Sequence, residues 1–236
     1  MTEQKSTPAP VLDLQPKRAG KARPARALVQ GSSWRAPSAR VVTAIKVVVF
    51  LVCLIPFGRL LFFAGTGGLG ANPIEFITRA TGYWTLFLLC MTLLVTPLRT
   101  WTKMPWLLKL RRMLGLFAFF YVALHFTTYL WFDQNFDLAS IGRDILKRPF
   151  ILVGFMAFVL LIPLAATSFN KAVKWLGGKR WQLLHRLVYP IALLGLLHFY
   201  WMRSGKQLYA QPNVFAAVLA ILLGWRIWAA LKKRRA

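Results

Sequence analysis

Three histidines occur in this 236-residue chain, and all of them fall inside long apolar stretches. His185 and His198 stand near the two ends of one stretch, Trp181 to Trp201, and His125 lies within another. About 20 apolar residues in a row cross a bilayer core as a helix. An imidazole at that depth is costly, so it usually has a partner and a task. A chain that keeps every histidine in such stretches points to buried metal ligation. Haem iron, clasped by two imidazoles from separate helices, is the natural candidate. The competing reading is three polar side chains that bond backbone across helices.

Other chemistry is sparse. Cys53 and Cys90 both sit in apolar runs and make neither a CxxC pair nor a disulfide framework, so they read as small buried hydrophobes. No nucleophile–base pair or paired carboxylates stand out, so no catalytic residue is assigned, and substrate chemistry is expected on a partner. The glycines between Ala64 and Ala71 do not follow a strand and are no phosphate-binding fingerprint. Asn72-Pro73-Ile74-Glu75 reads as a helix start, with Asn as cap, Pro at the first helical position and Glu completing a capping box. The alternative gives Glu75 or Arg79 a part in docking a partner.

Composition sets the elements that must position the histidines. The chain is 57% hydrophobic with a mean hydropathy of +0.52. That is too apolar for an ordinary soluble domain and fits an all-α membrane protein. Six spans are expected, at about 41–63, 82–98, 113–132, 150–169, 181–201 and 212–231. Pro56, Gly58 and Arg59 are expected to end or bend the far part of the first. Residues 1–40 are rich in Pro, Ala, Ser, Lys and Arg and read as a disordered basic tail rather than a cleaved signal peptide. Residues 41–231 form the membrane domain, and 232–236 a basic C-terminus. The ten tryptophans cluster near span ends, as an aromatic belt does.

The net charge is +25, from 31 basic and 6 acidic residues. In a soluble protein this would suggest nucleic acid; between apolar spans it describes loops and tails facing anionic lipid, and no nucleic-acid partner is expected. The tail, the second and fourth loops and the C-terminus are strongly basic. Every acid beyond the tail, Glu75, Asp133, Asp137 and Asp144, falls in the other loops. The positive-inside rule then makes both termini cytoplasmic, as an even number of spans requires. No expected span contains Asp or Glu, which argues against a proton pump or ion-coupled transporter.

Orientation gives each histidine a depth. His125 is about 12 residues into a span entered from the cytoplasm, roughly 18 Å along a helix, in the outer half. His198 comes to a similar depth on another helix, and His185 lies near the inner face. Gly115 and Ala118 precede His125 on a similar face, and Gly195 precedes His198; these small residues either leave room for a flat cofactor or let helices pack closely. One haem is therefore expected between His125 and His198. His185 lacks a histidine opposite, because the position 13 residues before His125 is Arg112. Arginine cannot ligate iron but can hold a propionate or a flavin phosphate, and Arg111, Arg112 and Arg186 are the basic candidates. On an ideal helix His185 and His198 point roughly 140° apart, unless Pro190 and Gly195 change the phase.

Several motifs together resemble the MsrQ (YedZ) family of the ferric-reductase-like transmembrane group. They are Gly70-Ala-Asn-Pro-Ile-Glu75, Thr81-Gly-Tyr-Trp84, Thr96-Pro-Leu-Arg99, Arg111-Arg-Met-Leu-Gly115, His125, and His185-Arg-Leu-Val-Tyr189 with His198. The resemblance spans about residues 41–205. It implies a haem b subunit of the bacterial inner membrane that passes electrons from a cytoplasmic flavin reductase or the quinone pool to MsrP, a periplasmic molybdopterin enzyme that reduces methionine sulfoxide. It also implies FMN, and haem ligation by His125, His198 and His185. Related oxidases carry two histidines on each of two helices, and Arg112 departs from that pattern. Two other functions compete: a stand-alone ferric or quinone-linked reductase, and a haem-free transporter or assembly factor.

Overall fold

Helices begin here where the sequence supplies an oxygen to cap them. In the computed structural model, which describes residues 37–205 and 207–235, Ser38 Oγ accepts from the Val41 N–H at 3.4 Å and opens helix α1, Ala39–Thr66. Asn72 Oδ1 accepts from the Glu75 N–H at 3.1 Å and opens α2, Pro73–Thr102, with Pro73 at its first position. The expected helix start is thus the N-terminus of the second span itself, nine residues earlier than the apolar run alone places it. Glu75 reaches back to Asn72 Nδ2 at 3.2 Å and pairs with Arg79 one turn on. The expected basic tail, up to residue 36, lies outside the described residues.

The remaining elements are α3, Leu108–Thr128, continued by a π turn at Tyr129–Asp133; α4, Leu138–Lys147; α5, Pro149–Ala166; α6, Asn170–Leu176; α7, Gly178–His185; α8, Val188–Ser204; and α9, Ala210–Arg235. No strand occurs among the described residues. Six helical segments are long and apolar enough to cross a membrane, with α7 and α8 together counting as one. Two elements were expected as loop. The ten-residue α4 is capped by Asp137 Oδ1 and buries Ile141 and Ile145 while exposing Leu138 and Leu146. The seven-residue α6 follows α5. Both are too short for the apolar length that marks a span. Lys232 to Arg235 form the last turn of α9, where cations complement the helix C-terminus.

Helix α2 is the core of the bundle. Leu86, Leu88, Leu89, Cys90, Leu93 and Val95 are all buried, and α2 packs on α3, α8 and α9. A second close pair is α5 with α8, and α3 meets α5. Outward, α1 exposes Val47, Val48, Phe50, Leu51, Val52 and Ile55, an apolar face that suits lipid.

Besides Pro163 near the end of α5, prolines interrupt three spans, and side chains bond the backbone beside two of them. Pro56 does not end α1. The buried Tyr121 hydroxyl enters there, accepting from Phe57 N–H at 3.1 Å and donating to the Cys53 carbonyl at 2.7 Å. Pro97 has no N–H for the Leu93 carbonyl four residues before it, and Arg226 of α9 donates its Nη2 there instead. Arg226 Nη1 donates to Leu222 O at 2.8 Å, and its guanidinium lies 5.6 Å from the Tyr189 ring centre. The third, Pro190, cannot donate to Arg186 O, and the fifth span breaks at Arg186–Leu187 into α7 and α8.

Candidate haem site

His125 projects from α3 and His198 from α8, and their ring centres stand 6.1 Å apart with planes at 81°. His125 Nδ1 lies 2.9 Å from the Thr78 carbonyl oxygen of α2. His198 Nδ1 lies 2.7 Å from the Phe150 carbonyl oxygen of α5. A carbonyl only accepts, so each Nδ1 is the protonated nitrogen. Each Nε2 is then the nitrogen with a free lone pair for a metal. A metal–nitrogen bond of about 2 Å on each side, with about 1 Å from nitrogen to ring centre, sets two imidazoles across one metal about 6 Å apart. The observed spacing fits that separation, and the donor set suits haem iron.

Two glycines make room for the rings. A Cβ on Gly154 of α5 would stand 2.7 Å from His198 Nδ1, and one on Gly82 of α2 would stand 3.1 Å from His125 Cε1. Four helices therefore build the pair: α3 and α8 carry the imidazoles, while α2 and α5 each supply one carbonyl and one glycine. Gly82 falls in the motif Thr81-Gly-Tyr-Trp84, but its place against His125, like the parts of Gly154, Thr78 and Phe150, arises only when helices meet. The spacing Thr78–Gly82 and Phe150–Gly154, one turn on each helix, is the signal that was there to find. Gly115 and Gly195, by contrast, lie against Thr92 and Leu86 of α2, with nearest approaches of 3.9 and 3.7 Å to a built Cβ. They serve close helix packing.

His185 is not brought to this pair. It closes α7, with Nε2 3.1 Å from Thr167 Oγ1 and its ring stacked 3.9 Å from that of Trp181. Trp181 Nε1 donates to the Thr167 carbonyl at 2.9 Å. Thr167 follows α5, whereas Phe150 and Gly154 belong to its first turns, so the two histidine sites occupy opposite ends of that helix. Arg111 and Arg112 lie within electrostatic reach of His185, and Arg112 Nη2 donates to Asn170 Oδ1 at 2.9 Å. Arg186 is exposed in the break between α7 and α8.

A helical bundle with two imidazoles held across its interior defines a class, and comparison agrees with it. Residues 81–196 match the family described as ferric reductase like transmembrane component. Similarity to individual proteins is closer still. The chain is 61% identical over 198 residues to the protein-methionine-sulfoxide reductase heme-binding subunit MsrQ of Herminiimonas arsenicoxydans, covering 84% of this chain and 91% of that one. It is 61% identical to the MsrQ of Polaromonas naphthalenivorans, over 81% and 88%. For that of Rhodospirillum rubrum the identity is 48%, over 80% and 90%. The chain belongs to the MsrQ family and is a multi-pass membrane protein.

Proposed function

We propose that this chain is the haem b membrane subunit of a methionine sulfoxide reductase system, passing electrons across the inner membrane to a periplasmic MsrP-like molybdopterin reductase. The observation that carries this reading is the pair His125 and His198, 6.1 Å apart, with both Nδ1 atoms tied to carbonyls. The names of relatives up to 61% identical, each a heme-binding subunit, support it. A haem iron held there supplies reversible one-electron chemistry. The residues supply the rest. Thr78 and Phe150 fix the tautomer and the ring directions, while Gly82 and Gly154 give the rings space.

The His185 end has a second role in this proposal. Its basic loops face the cytoplasm, where Arg111, Arg112 and Arg186 meet an acidic flavin reductase or the phosphate of FMN. His185 has Thr167 as its partner and no second imidazole opposite, so a haem there would take a non-histidine ligand and displace the threonine hydroxyl. The reading with electrons taken from the quinone pool uses the same outer histidine pair.

Difference spectra of the purified protein test the proposal. Wild type should give the sharp reduced bands of low-spin, bis-imidazole haem, and His125→Ala or His198→Ala should lose them. Haem retained in both variants, or a colourless wild type, defeats the ligand assignment and leaves the haem-free alternatives. Reduction of chelated iron without any partner would favour a stand-alone reductase.

A further inference from the structure

Arg203 was expected in a connection but stands in the last turn of α8, five residues beyond His198. Its guanidinium packs 5.5 Å from the ring centre of Phe199, the residue next to that histidine. Nη2 donates to Gln211 Oε1 at 3.2 Å. Nε is buried and has no hydrogen-bond partner among the described residues. A buried donor on a charged group, left unmade, costs more than an ordinary lost bond. The charges of Arg79 and Glu75 reach Arg203 from α2. Glu75 is already engaged by Arg79 and Asn72, so in this cluster two guanidiniums meet one committed carboxylate. Arg79 directly follows Thr78, whose carbonyl holds His125. The cluster thus sits beside the residues that place both imidazoles and is short of one anion.

We propose that Arg203 binds a carboxylate of the porphyrin held between His125 and His198, through the Nε–H that has no acceptor among the described residues. The proposal rests on the haem reading above. The planar guanidinium fork suits a carboxylate in two-bonded geometry, and an ammonium in its place would keep the charge but lose the fork. A fixed positive charge near the iron also favours the reduced, less positive state.

The test uses the full chain loaded either with haem b or with its dimethyl ester, in which both carboxylates are masked. With haem b, Arg203→Gln should lower the midpoint potential and speed haem loss to an apo-globin acceptor several-fold. Arg203→Lys should restore most of the potential but little of the retention. With the ester, wild type and Arg203→Gln should lose the porphyrin at the same rate, while the potential still responds to the removed charge. The anchor is overturned if Arg203→Gln leaves haem retention unchanged, or if the difference in retention persists undiminished with the ester, which is the mark of a structural role. Haem held by both histidine variants defeats the ligand pair, and the anchor with it. Haem lost from those variants but indifferent to Arg203 defeats the anchor alone.

Discussion

A glycine beside an imidazole is a sharper probe of this site than the imidazole itself, because it touches no iron. At Gly154 an added Cβ meets His198 at 2.7 Å, closer than packed carbon tolerates, while at Gly82 the contact with His125 is 3.1 Å and small adjustments absorb it. Overpacking costs about 1–3 kcal/mol when neighbours cannot give. His198 cannot give without losing its 2.7 Å bond to Phe150 O. Gly154→Ala should therefore lower the haem-to-protein ratio of purified protein severely, and Gly82→Ala mildly; equal ratios would mean the rings are looser than drawn. His185→Ala should leave the main low-spin bands in place, since its ring packs on Trp181 at the other end. At this scale the sequence was half readable. Histidine, being rare and costly in lipid, announced itself; the glycines opposite belong to other helices, and their contact with the rings is not legible until α3 meets α2 and α8 meets α5.

Among the elements, the prolines separate what pattern reading catches from what it misses. Pro190 was expected to disturb the fifth span, and it does so at residue 186 because a missing N–H is felt four residues back. Pro56 was expected to end or bend α1, yet the helix runs to Thr66. The difference lies in a residue 65 positions away: beside the proline, the Tyr121 hydroxyl bridges the Phe57 N–H and the Cys53 carbonyl. Arg226, unremarked in the sequence, bonds the carbonyl freed by Pro97. Such repairs depend on which helices are neighbours, so local propensity cannot forecast them. Tyr121→Phe removes one hydroxyl and strands two backbone groups in an apolar core. A loss of about 1–3 kcal/mol is expected, read as a lower unfolding midpoint in detergent with the haem bands unshifted. A spectrum altered as much as the stability would instead tie Tyr121 to the site.

For the whole molecule, direction across the bilayer decides the function, and charge is what sets it. The end that holds His185 carries Arg99, Lys103, Lys109, Arg111, Arg112, Lys171, Lys174, Lys179 and Arg180, and the last turn of α9 adds four more cations. Glu75, Asp133, Asp137 and Asp144 all fall at the end that holds the histidine pair. Cations are retained on the cytoplasmic side, so the pair should lie near the periplasmic face and α4 beyond it. Two exposed positions report on this. Leu138 is 81% exposed at the start of α4, and Trp175 is 85% exposed on α6 at the opposite end. The native Cys53 and Cys90 are buried and give little background. In intact spheroplasts a membrane-impermeant maleimide should label Leu138→Cys and spare Trp175→Cys until the membrane is opened. The reverse pattern would put His125 and His198 beside the cytoplasm. Delivery to a periplasmic reductase would then fail on geometry alone, however well the two imidazoles hold their metal.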